Sequence, residues 1–321
     1  MMPTTRCHDK KSTLKFSLLA LLFLFVTVFA FSSLSASAAA VKQKGFGTPD
    51  DAAQALVKEL KANNRKELLA IFGPGGKGLA ASGDPVADRA DIEKFIEAFD
   101  ESHSIKMRSP EVAILLVGSQ DFPFPIPLVK EGDAWVFDTK TGREEIINRR
   151  IGRNELGSIE VLRAYVDAQR EFFEMKSDEE AKREYAQKLF SSKGMHDGLY
   201  WEAKEGDEES PMGPFVASAA EEGYVRKANR RIPYHGYYYR ILTGQGSHAA
   251  GGAKQYIVNG KMTEGFAMVA HPAKYGSSGI MTFMVNQDGT IYQKDLGKRT
   301  GAIVKAIKSF DPDVTWRPVQ E

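Results

Sequence analysis

The stretch that decides the fold runs from residue 235 to residue 296 and reads HGYYYRILTGQGSHAAGGAKQYIVNGKMTEGFAMVAHPAKYGSSGIMTFMVNQDGTIYQKDL. Its apolar residues recur with a period of two, and turn signals recur about every ten residues, which is typical of antiparallel strands. Asn259-Gly260 lies between two short alternating runs and is a strong hairpin signal. Further strands are predicted over 237–242, 266–271, 281–285 and 291–294, with a turn over 286–289. The stretch therefore predicts an antiparallel meander.

Such a sheet needs a partner for its apolar face, and the longest helical pattern of the chain, over 143–175, provides one. The apolar stripe of this helix and its flanking aromatic residues are Leu156, Ile159, Leu162, Tyr165, Val166, Phe172 and Phe173. The sheet has an apolar face that carries Phe266, Met268, Met281, Phe283 and Val285, although the pattern alone does not fix which pleat face turns inward. Gly152 and Gly157 weaken the first half of the helix and allow a break there. A second helix is predicted over 178–190, followed by loops over 191–229.

The region before this helix carries three helical patterns followed by short strands. Thr48-Pro49 opens the first helix as a cap and a first-turn proline. Further helices are predicted over 65–72 and 88–99, and strands over 112–117, 122–129 and 133–139. Helices and strands in separate runs indicate the α+β class. We therefore predict a signal peptide over 1–40, a small N-terminal α+β unit over 45–140, and a long helix packed on an antiparallel meander over 141–321.

The first forty residues have the layout of a secretory signal peptide. Four basic residues precede an apolar run over 16–31, and small residues of the A-x-A type follow. The run is shorter than the roughly 20 residues that a membrane span needs, although an uncleaved anchor is the alternative. We expect cleavage after Ala38 or Ala40. The mature protein would then be periplasmic or secreted, and would meet the membrane only through its signal peptide before cleavage.

Composition and charge exclude several classes of function. The chain is 42% hydrophobic and 26% charged, which is typical of a globular protein. The sole cysteine, Cys7, precedes the apolar run, so the mature chain can form no disulfide and no cysteine metal site. After cleavage 39 basic and 41 acidic residues remain, a net charge of −2. This balance argues against a nucleic-acid partner, which favours a basic face.

Over nearly the whole mature chain, the sequence resembles domain of unknown function family 2950, a family of exported bacterial proteins. The resemblance lies in WVFDTKTGREEIINRRIGRNELGSIEVLRAYVDAQREF (135–172), DGLYW (197–201), SPMGP (210–214) and GYYYRILTGQG (236–246). It implies a periplasmic location and a bacterial origin. It implies no activity.

The C-terminal half also resembles the globular domains of pilin-like and pseudopilin-like proteins. The helix start NELGSIEVLR (154–163) is similar to theirs, as are FAMVAHP (266–272), YGSSG (275–279) and FMVNQDGTI (283–291), in the same order along the chain. This resemblance implies a long helix against a strand meander. The chain departs from pilins because a further region separates this helix from the hydrophobic N-terminus.

No catalytic or metal-binding motif stands out among the titratable residues. The histidines of the mature chain are His103, His196, His235, His248 and His271. None forms His-x-x-x-His or His-Glu-x-x-His, so the sequence predicts no metal site and no cofactor. The alternative is that His235, His248 and His271 converge in the meander.

Three loops could carry chemistry. The glycine-rich loop over 244–252 could form an anion nest, but it lacks the Lys-Ser ending of a nucleotide loop, and a flexible connection is the alternative. The segment over 276–279 is one residue short of a nucleophile elbow. Acidic residues near Trp201 could act on a glycan as acid and base, or could be solvated. They are Asp197, Asp207, Glu208 and Glu209.

Arginine and aromatic residues provide the candidates for ligand binding. The cluster Arg143, Arg149, Arg150 and Arg153 could clamp an anion, or could pair with Glu144, Glu145 and Glu155. Tyr237 and Tyr239 with Trp201 could line a groove for a peptide or a sugar, or could pack in the core. The candidate ligand-binding residues are Trp201, Tyr237, Tyr239, His248, Arg150 and Arg153, and no catalytic residue is assigned.

These patterns lead to one hypothesis and one alternative. The hypothesis is a non-enzymatic binding or assembly module of the cell envelope, whose partner is another envelope protein or a polymer. The alternative is an envelope hydrolase that uses loop carboxylates or histidines near Trp201 and His248. Convergence of a histidine and two carboxylates in one cleft would favour the enzyme, and their separation would favour the module.

Overall fold

A computed structural model gives the fold over residues 43–76, 79, 82–175, 183–204, 206–224 and 232–320. The predicted signal peptide lies outside these described residues, so its cleavage and the protein's export stay predictions. None of the helices within the described ranges combines the length and the apolar character needed to cross a membrane.

The first part of the described chain is a layer of helices on an antiparallel sheet. The helices are α1 (Pro49–Lys61), α2 (Arg65–Phe72) and α3 (Pro85–Glu101), and the strands are β1 (His103–Ser109), β2 (Val112–Val117), β3 (Phe122–Pro123), β4 (Leu128–Glu131) and β5 (Ala134–Phe137). The sheet order is β1-β2-β4-β5, with β3 beside β2. Thr48 caps α1 as predicted, because its side chain accepts a hydrogen bond from Asp51 N–H. The buried core residues include Leu56, Ile71, Ile126, Leu128 and Phe137.

The central helix, α4 (Thr139–Met175), runs without a break for 37 residues, which corresponds to about 55 Å. The break considered at Gly152 and Gly157 is absent. Gly157 has a packing role, because a Cβ atom there would lie 2.9 Å from the His235 Nδ1 atom, whereas one at Gly152 would meet nothing within 4 Å. The helix serves both parts of the fold, since Ile146 packs on the first core and Leu162 belongs to the second.

The second sheet is the predicted meander. Its main strands are β6 (Tyr237–Leu242), β11 (Ala267–Pro272), β12 (Met281–Asn286), β13 (Tyr292–Asp295) and β14 (Arg317–Pro318), all antiparallel in the order β14-β13-β12-β11-β6. The sequence between β6 and β11 forms two small ribbons. One consists of β7 (Gly244–Gln245) and β8 (Lys254–Gln255), and the other of β9 (Ile257–Val258) and β10 (Lys261–Met262). Asn259 and Gly260 connect the second ribbon with φ of 50° and 80°, as their sequence predicts.

Helices cover both faces of this sheet. Met268, Phe283 and Val285 share the face that packs on α4, as predicted, and all three are buried. The opposite face lies against α6 (Thr300–Ala306), where the Arg240 guanidinium donates to the Val304 and Ile307 carbonyls at 2.8 and 2.7 Å. The α+β class with a long helix on an antiparallel sheet is therefore confirmed.

The predicted stripe of α4 is wrong at both ends. Leu156 is 65% exposed, whereas its neighbour Glu155 faces the start of β12 and accepts from Met281 N–H. Phe172 rather than Phe173 enters the core. Gln169 was not expected in this stripe, yet it is fully buried.

The helix predicted over 178–190 is also wrong wherever it is described. Residues 183–190 are irregular, with bends at residues 187 and 189 and isolated bridges from Tyr185 to Met262 and from Phe190 to Tyr200. The buried amide of Gln169 bonds both backbone groups of Ala186 at 2.8 Å, which replaces the hydrogen bonds that a helix would make. A short helix, α5 (Gly213–Glu221), lies instead in the region predicted as loops.

Candidate functional site

A large open cleft of about 1210 Å³ lies beside the edge of the second sheet. Its floor consists of Val161 and Tyr165 from α4 with Met268 from β11 and the first three residues of β6. One wall is formed by residues 189–202, and the other by α5 with the segments that flank it. Aromatic side chains dominate the lining, which includes Tyr165, Phe190, Tyr200, Trp201, Phe215, Tyr224, Tyr234, Tyr237, Tyr238 and Tyr239.

Trp201 anchors the first wall of the cleft. Its side chain is only 7% exposed, and its indole N–H donates to the Glu208 carbonyl at 2.9 Å. The His196 ring stacks on the indole with 4.2 Å between the ring centroids and 13° between the planes. Because the indole N–H already has a partner, Trp201 offers a ligand an aromatic surface rather than a hydrogen bond.

Tyr237 and Tyr239 reach the cleft from one face of β6. The Tyr237 hydroxyl donates to the Met281 carbonyl at 2.9 Å, and the Tyr239 hydroxyl donates to Ser158 Oγ at 3.1 Å. Burial raises the pKa of both hydroxyls above the ordinary tyrosine value. Both side chains therefore stay neutral at physiological pH. The structure brings Trp201, Tyr237 and Tyr239 to one cleft, and it also packs Trp201 and Tyr237 into the buried second core. Their role in ligand binding stays a prediction.

An aromatic rim on the second wall was missed by the sequence reasoning. Tyr234 lies at its centre, edge-to-face with Phe215 at 5.4 Å and with Tyr224 at 4.7 Å. The Tyr224 hydroxyl donates to a carboxylate oxygen of Asp84, a fully buried residue, at 2.8 Å. The same oxygen accepts from Gly236 N–H at 3.0 Å. Asp84 also caps α3, so this carboxylate connects the N-terminal helices to the rim.

The rim carried a weak sequence signal. The aromatic density of 215–239 was visible, but the segment reads as loops because α5 is short and glycines and prolines surround it. Asp84 connects the rim to the distant N-terminal region, and no periodicity reveals such a contact.

His248 lies apart from the cleft. Its Nδ1 atom is 3.0 Å from Asp311 Oδ1, which also accepts from the His248 backbone N–H at 2.8 Å. The surrounding glycine-rich loop is held by Gln245, whose amide nitrogen donates to the Ala250 and Gly252 carbonyls at 2.7 Å. A ligand-binding site that joins His248 to Trp201 is therefore not formed.

Arg150 and Arg153 also lie apart from the cleft and hold α4 to the N-terminal part. Arg150 is 7% exposed, and its Nη2 atom donates to the Leu79 carbonyl at 2.6 Å and lies 4.0 Å from Asp88. Burial lowers the pKa of Arg150 and raises that of Asp88. Arg153 pairs with Asp91 at 2.7 Å. These contacts give both arginines a structural role at the N-terminal part. The buried Nη1 atom of Arg150 has no hydrogen-bond partner among the described residues.

The acidic and histidine residues do not converge on one point. Asp197 pairs with Lys188 at 2.5 Å and accepts from Ser192 N–H, and these hydrogen bonds lower its pKa to about 2. His235 lies 3.3 Å from Glu222, outside the reach of the His248 pair. The remaining histidines pack on aromatic rings, His103 on Phe99, His196 on Trp201 and His271 near Tyr238. Within the described ranges, no group of three histidine, aspartate or glutamate residues could hold a metal ion.

Comparison with known proteins gives one match. The family model described as "Protein of unknown function (DUF2950)" matches residues 43–319. No curated protein and no solved structure matches the chain. No relative supplies an activity, and the similarity to pilins stays a prediction.

Proposed function

The chain belongs to the DUF2950 family of proteins of unknown function, and we propose that it is an exported, non-enzymatic binding module of the cell envelope. Its ligand lies in the aromatic cleft. The observation that carries this proposal is the juxtaposition of Trp201, Tyr237 and Tyr239 with the rim around Tyr234 in one open cleft. Clefts of this kind, apolar with few convergent polar groups, are the usual sites of ligand binding.

The electrostatics of the cleft favour a ligand without strong charge. Among its described lining residues, Lys193 and Glu202 are the only ones with a full charge at neutral pH, and they have opposite signs. Burial raises the pKa of Tyr224 and Tyr234, as it does for Tyr237, so these hydroxyls stay neutral. The attraction would therefore come from aromatic stacking, worth about 0.5–1.5 kcal/mol for each well-placed ring.

The shape of the cleft favours an elongated ligand. A second, smaller space of about 340 Å³ shares Leu189, Phe190 and Tyr239 with the main cleft and continues along β6 to Ile241. A polymer segment, either a polypeptide or a glycan, fits such a channel better than a compact metabolite. This agrees with a partner that is another envelope protein or a polymer.

Intrinsic fluorescence tests the binding proposal. The mature chain, residues 41–321, is titrated with two probes: decapeptides selected from a random library on the immobilised protein, and a soluble tetramer of N-acetylglucosamine. We expect at least one probe to bind saturably and to change the emission of Trp201. Trp201→Ala should weaken binding about 10- to 100-fold, as for an aromatic anchor at the centre of an interface.

The matched control is Trp316→Phe, since Trp316 is similarly buried but does not line the cleft. This variant should bind like the wild type. Unchanged affinity in Trp201→Ala, or no saturable response to either probe, would contradict the proposal. Export is tested separately by N-terminal sequencing of the protein from its native envelope, where a start at Met1 would refute it.

A further inference from the structure

We propose that the outer edge of β6 binds an extended polypeptide as an additional strand. This inference rests on the proposed function, because the peptide would occupy the same cleft. β6 is the terminal strand of its five-stranded sheet, and β11 pairs with only one of its edges. The other edge faces the cleft, since Tyr237 to Ile241 line the main cleft and its continuation.

The hydrogen-bonding side of β6 can be assigned from its register. Gly236, just before the strand, accepts a hydrogen bond from Ala273 N–H at 2.9 Å on the β11 side. In an antiparallel pair every second residue bonds the same neighbour, so this side is used by the even-numbered residues up to Leu242. The odd-numbered residues direct their N–H and C=O groups away from β11.

The first of the odd-numbered residues already has a partner on the outer edge. Tyr237 and Tyr234 exchange two backbone hydrogen bonds, of 2.9 and 3.0 Å, across a tight turn. Beyond this turn, no described residue bonds the outward N–H or C=O of Tyr239 or Ile241. The edge thus presents two donors and two acceptors to the cleft, with a spacing of about 7 Å between the two residues.

A wall faces this edge across the smaller space of about 340 Å³. It is formed by residues 187–190, and the carbonyls of two of them accept hydrogen bonds from a segment other than β6. Leu199 N–H donates to the Lys188 carbonyl at 3.1 Å, and Tyr200 N–H donates to the Leu189 carbonyl at 2.9 Å. The space therefore has the backbone edge of β6 on one side and residues 187–190 on the other.

This geometry fits a single extended polypeptide. Alternating backbone donors and acceptors match another backbone, whereas a glycan would need side-chain donors and acceptors at the same positions. Side chains of the added strand alternate, so every second one would point into the aromatic cleft beside Tyr237 and Tyr239.

The proposal is tested on the full mature chain with the best binder from the random decapeptide library. Ile241→Pro removes the outward N–H of β6 without affecting the bonds to β11, and Ile241→Ala loses a similar side chain but keeps that N–H. We expect Ile241→Pro to bind the decapeptide at least tenfold more weakly than Ile241→Ala. The same decapeptide with every backbone nitrogen methylated should not bind.

Amide hydrogen exchange of the wild-type protein provides a measurement that needs no variant to fold. Peptide binding should slow exchange at Tyr239 and Ile241. Equal affinities of the proline and alanine variants, binding of the methylated peptide, or unchanged exchange at both amides would overturn strand addition. Binding of the N-acetylglucosamine tetramer with no decapeptide binder would overturn it as well, while leaving the proposed function intact. Failure of both probes would overturn both.

Discussion

The two sheets of this protein differ in how they are covered. In the first sheet, Ala113, Leu115 and Val117 of β2 are buried under the N-terminal helices, and the alternate residues of the same strand are only half-buried. In the second sheet, five consecutive residues of β12 are buried, because α4 covers one face and α6 the other. A sheet covered on both faces can offer a partner only its edges and the gaps between its covering segments.

The two sheets also differ in the surroundings of a terminal strand. β1 ends the first sheet as an exposed strand that carries Lys106 and Arg108, and such charged edges discourage pairing with other chains. β6 ends the second sheet inside an aromatic cleft, with uncharged side chains at Tyr239 and Ile241. We therefore propose that recognition takes place at the second sheet and that the first sheet has a supporting role.

The largest expected effect comes from removing the carboxylate that joins the two parts. Asp84 caps α3 and accepts from Tyr224 O–H and Gly236 N–H at the cleft rim. Asp84→Ala leaves these buried donors without a partner and also removes the helix cap, so we expect the free energy of unfolding to fall by about 2–4 kcal/mol. Urea denaturation followed by circular dichroism measures it.

Two further variants make this test specific. Asp84→Asn keeps one acceptor oxygen and should lose less than Asp84→Ala. Tyr224→Phe removes one donor and should cost about 1 kcal/mol. If the first part of the fold supports the cleft through Asp84, Asp84→Ala should also bind the probe more weakly, because the rim loses this support. A loss below 0.5 kcal/mol for Asp84→Ala, roughly that of an ordinary surface change, would show that the parts are not joined here.

Two glycines of α4 should differ in how substitution by alanine changes the stability of the protein, and this effect is smaller. Gly152 is exposed with open space around it, so Gly152→Ala should stabilise the protein by about 0.5–1 kcal/mol. At Gly157 a new methyl group would meet the His235 ring, so Gly157→Ala should destabilise it by about 1 kcal/mol despite the gain in helix propensity. Thermal unfolding of both variants measures this, and equal shifts would contradict the assigned packing.

Sequence patterns predicted those parts of the fold that local chemistry determines. Asn259-Gly260 forms its hairpin because both residues tolerate positive φ. The faces of β6 alternate as predicted, with Tyr239 bonded to Ser158 of α4 and Arg240 to α6. Trp201, Tyr237 and Tyr239 line one cleft, but their role in ligand binding stays a prediction.

The incorrect predictions have a common physical origin in contacts between residues far apart in sequence. Residues 183–190 carry a helical pattern, but the buried Gln169 side chain binds both backbone groups of Ala186 and so replaces helical hydrogen bonds. Arg150 was grouped with ligand-binding residues because clustered arginines suit anions, yet its partners are Leu79 and Asp88 of the first part. Neither contact produces a periodic signal.

The smallest expected effect concerns the ion pair between Asp197 and Lys188, on the wall that holds Trp201. The pKa of Asp197 is lowered to about 2 by its hydrogen bonds with Lys188 and Ser192, against about 3.9 for an unfolded aspartate. A carboxylate whose folded pKa is depressed stabilises the protein above the unfolded pKa, and this stabilisation is lost as the pH falls from about 4 to about 2.

Because both side chains are substantially exposed, solvent screening limits the contribution to less than about 1 kcal/mol. Asp197→Asn should therefore lower the melting temperature slightly at pH 7 and at low salt, and the difference from wild type should shrink between pH 4 and pH 2. Glu145→Gln, which removes the exposed partner of Arg149 in α4, is the matched control outside the cleft. If Asp197→Asn weakens ligand binding and Glu145→Gln does not, the ion pair positions the wall that carries Trp201. If neither variant alters binding, the wall is held by Trp201 and its packing instead.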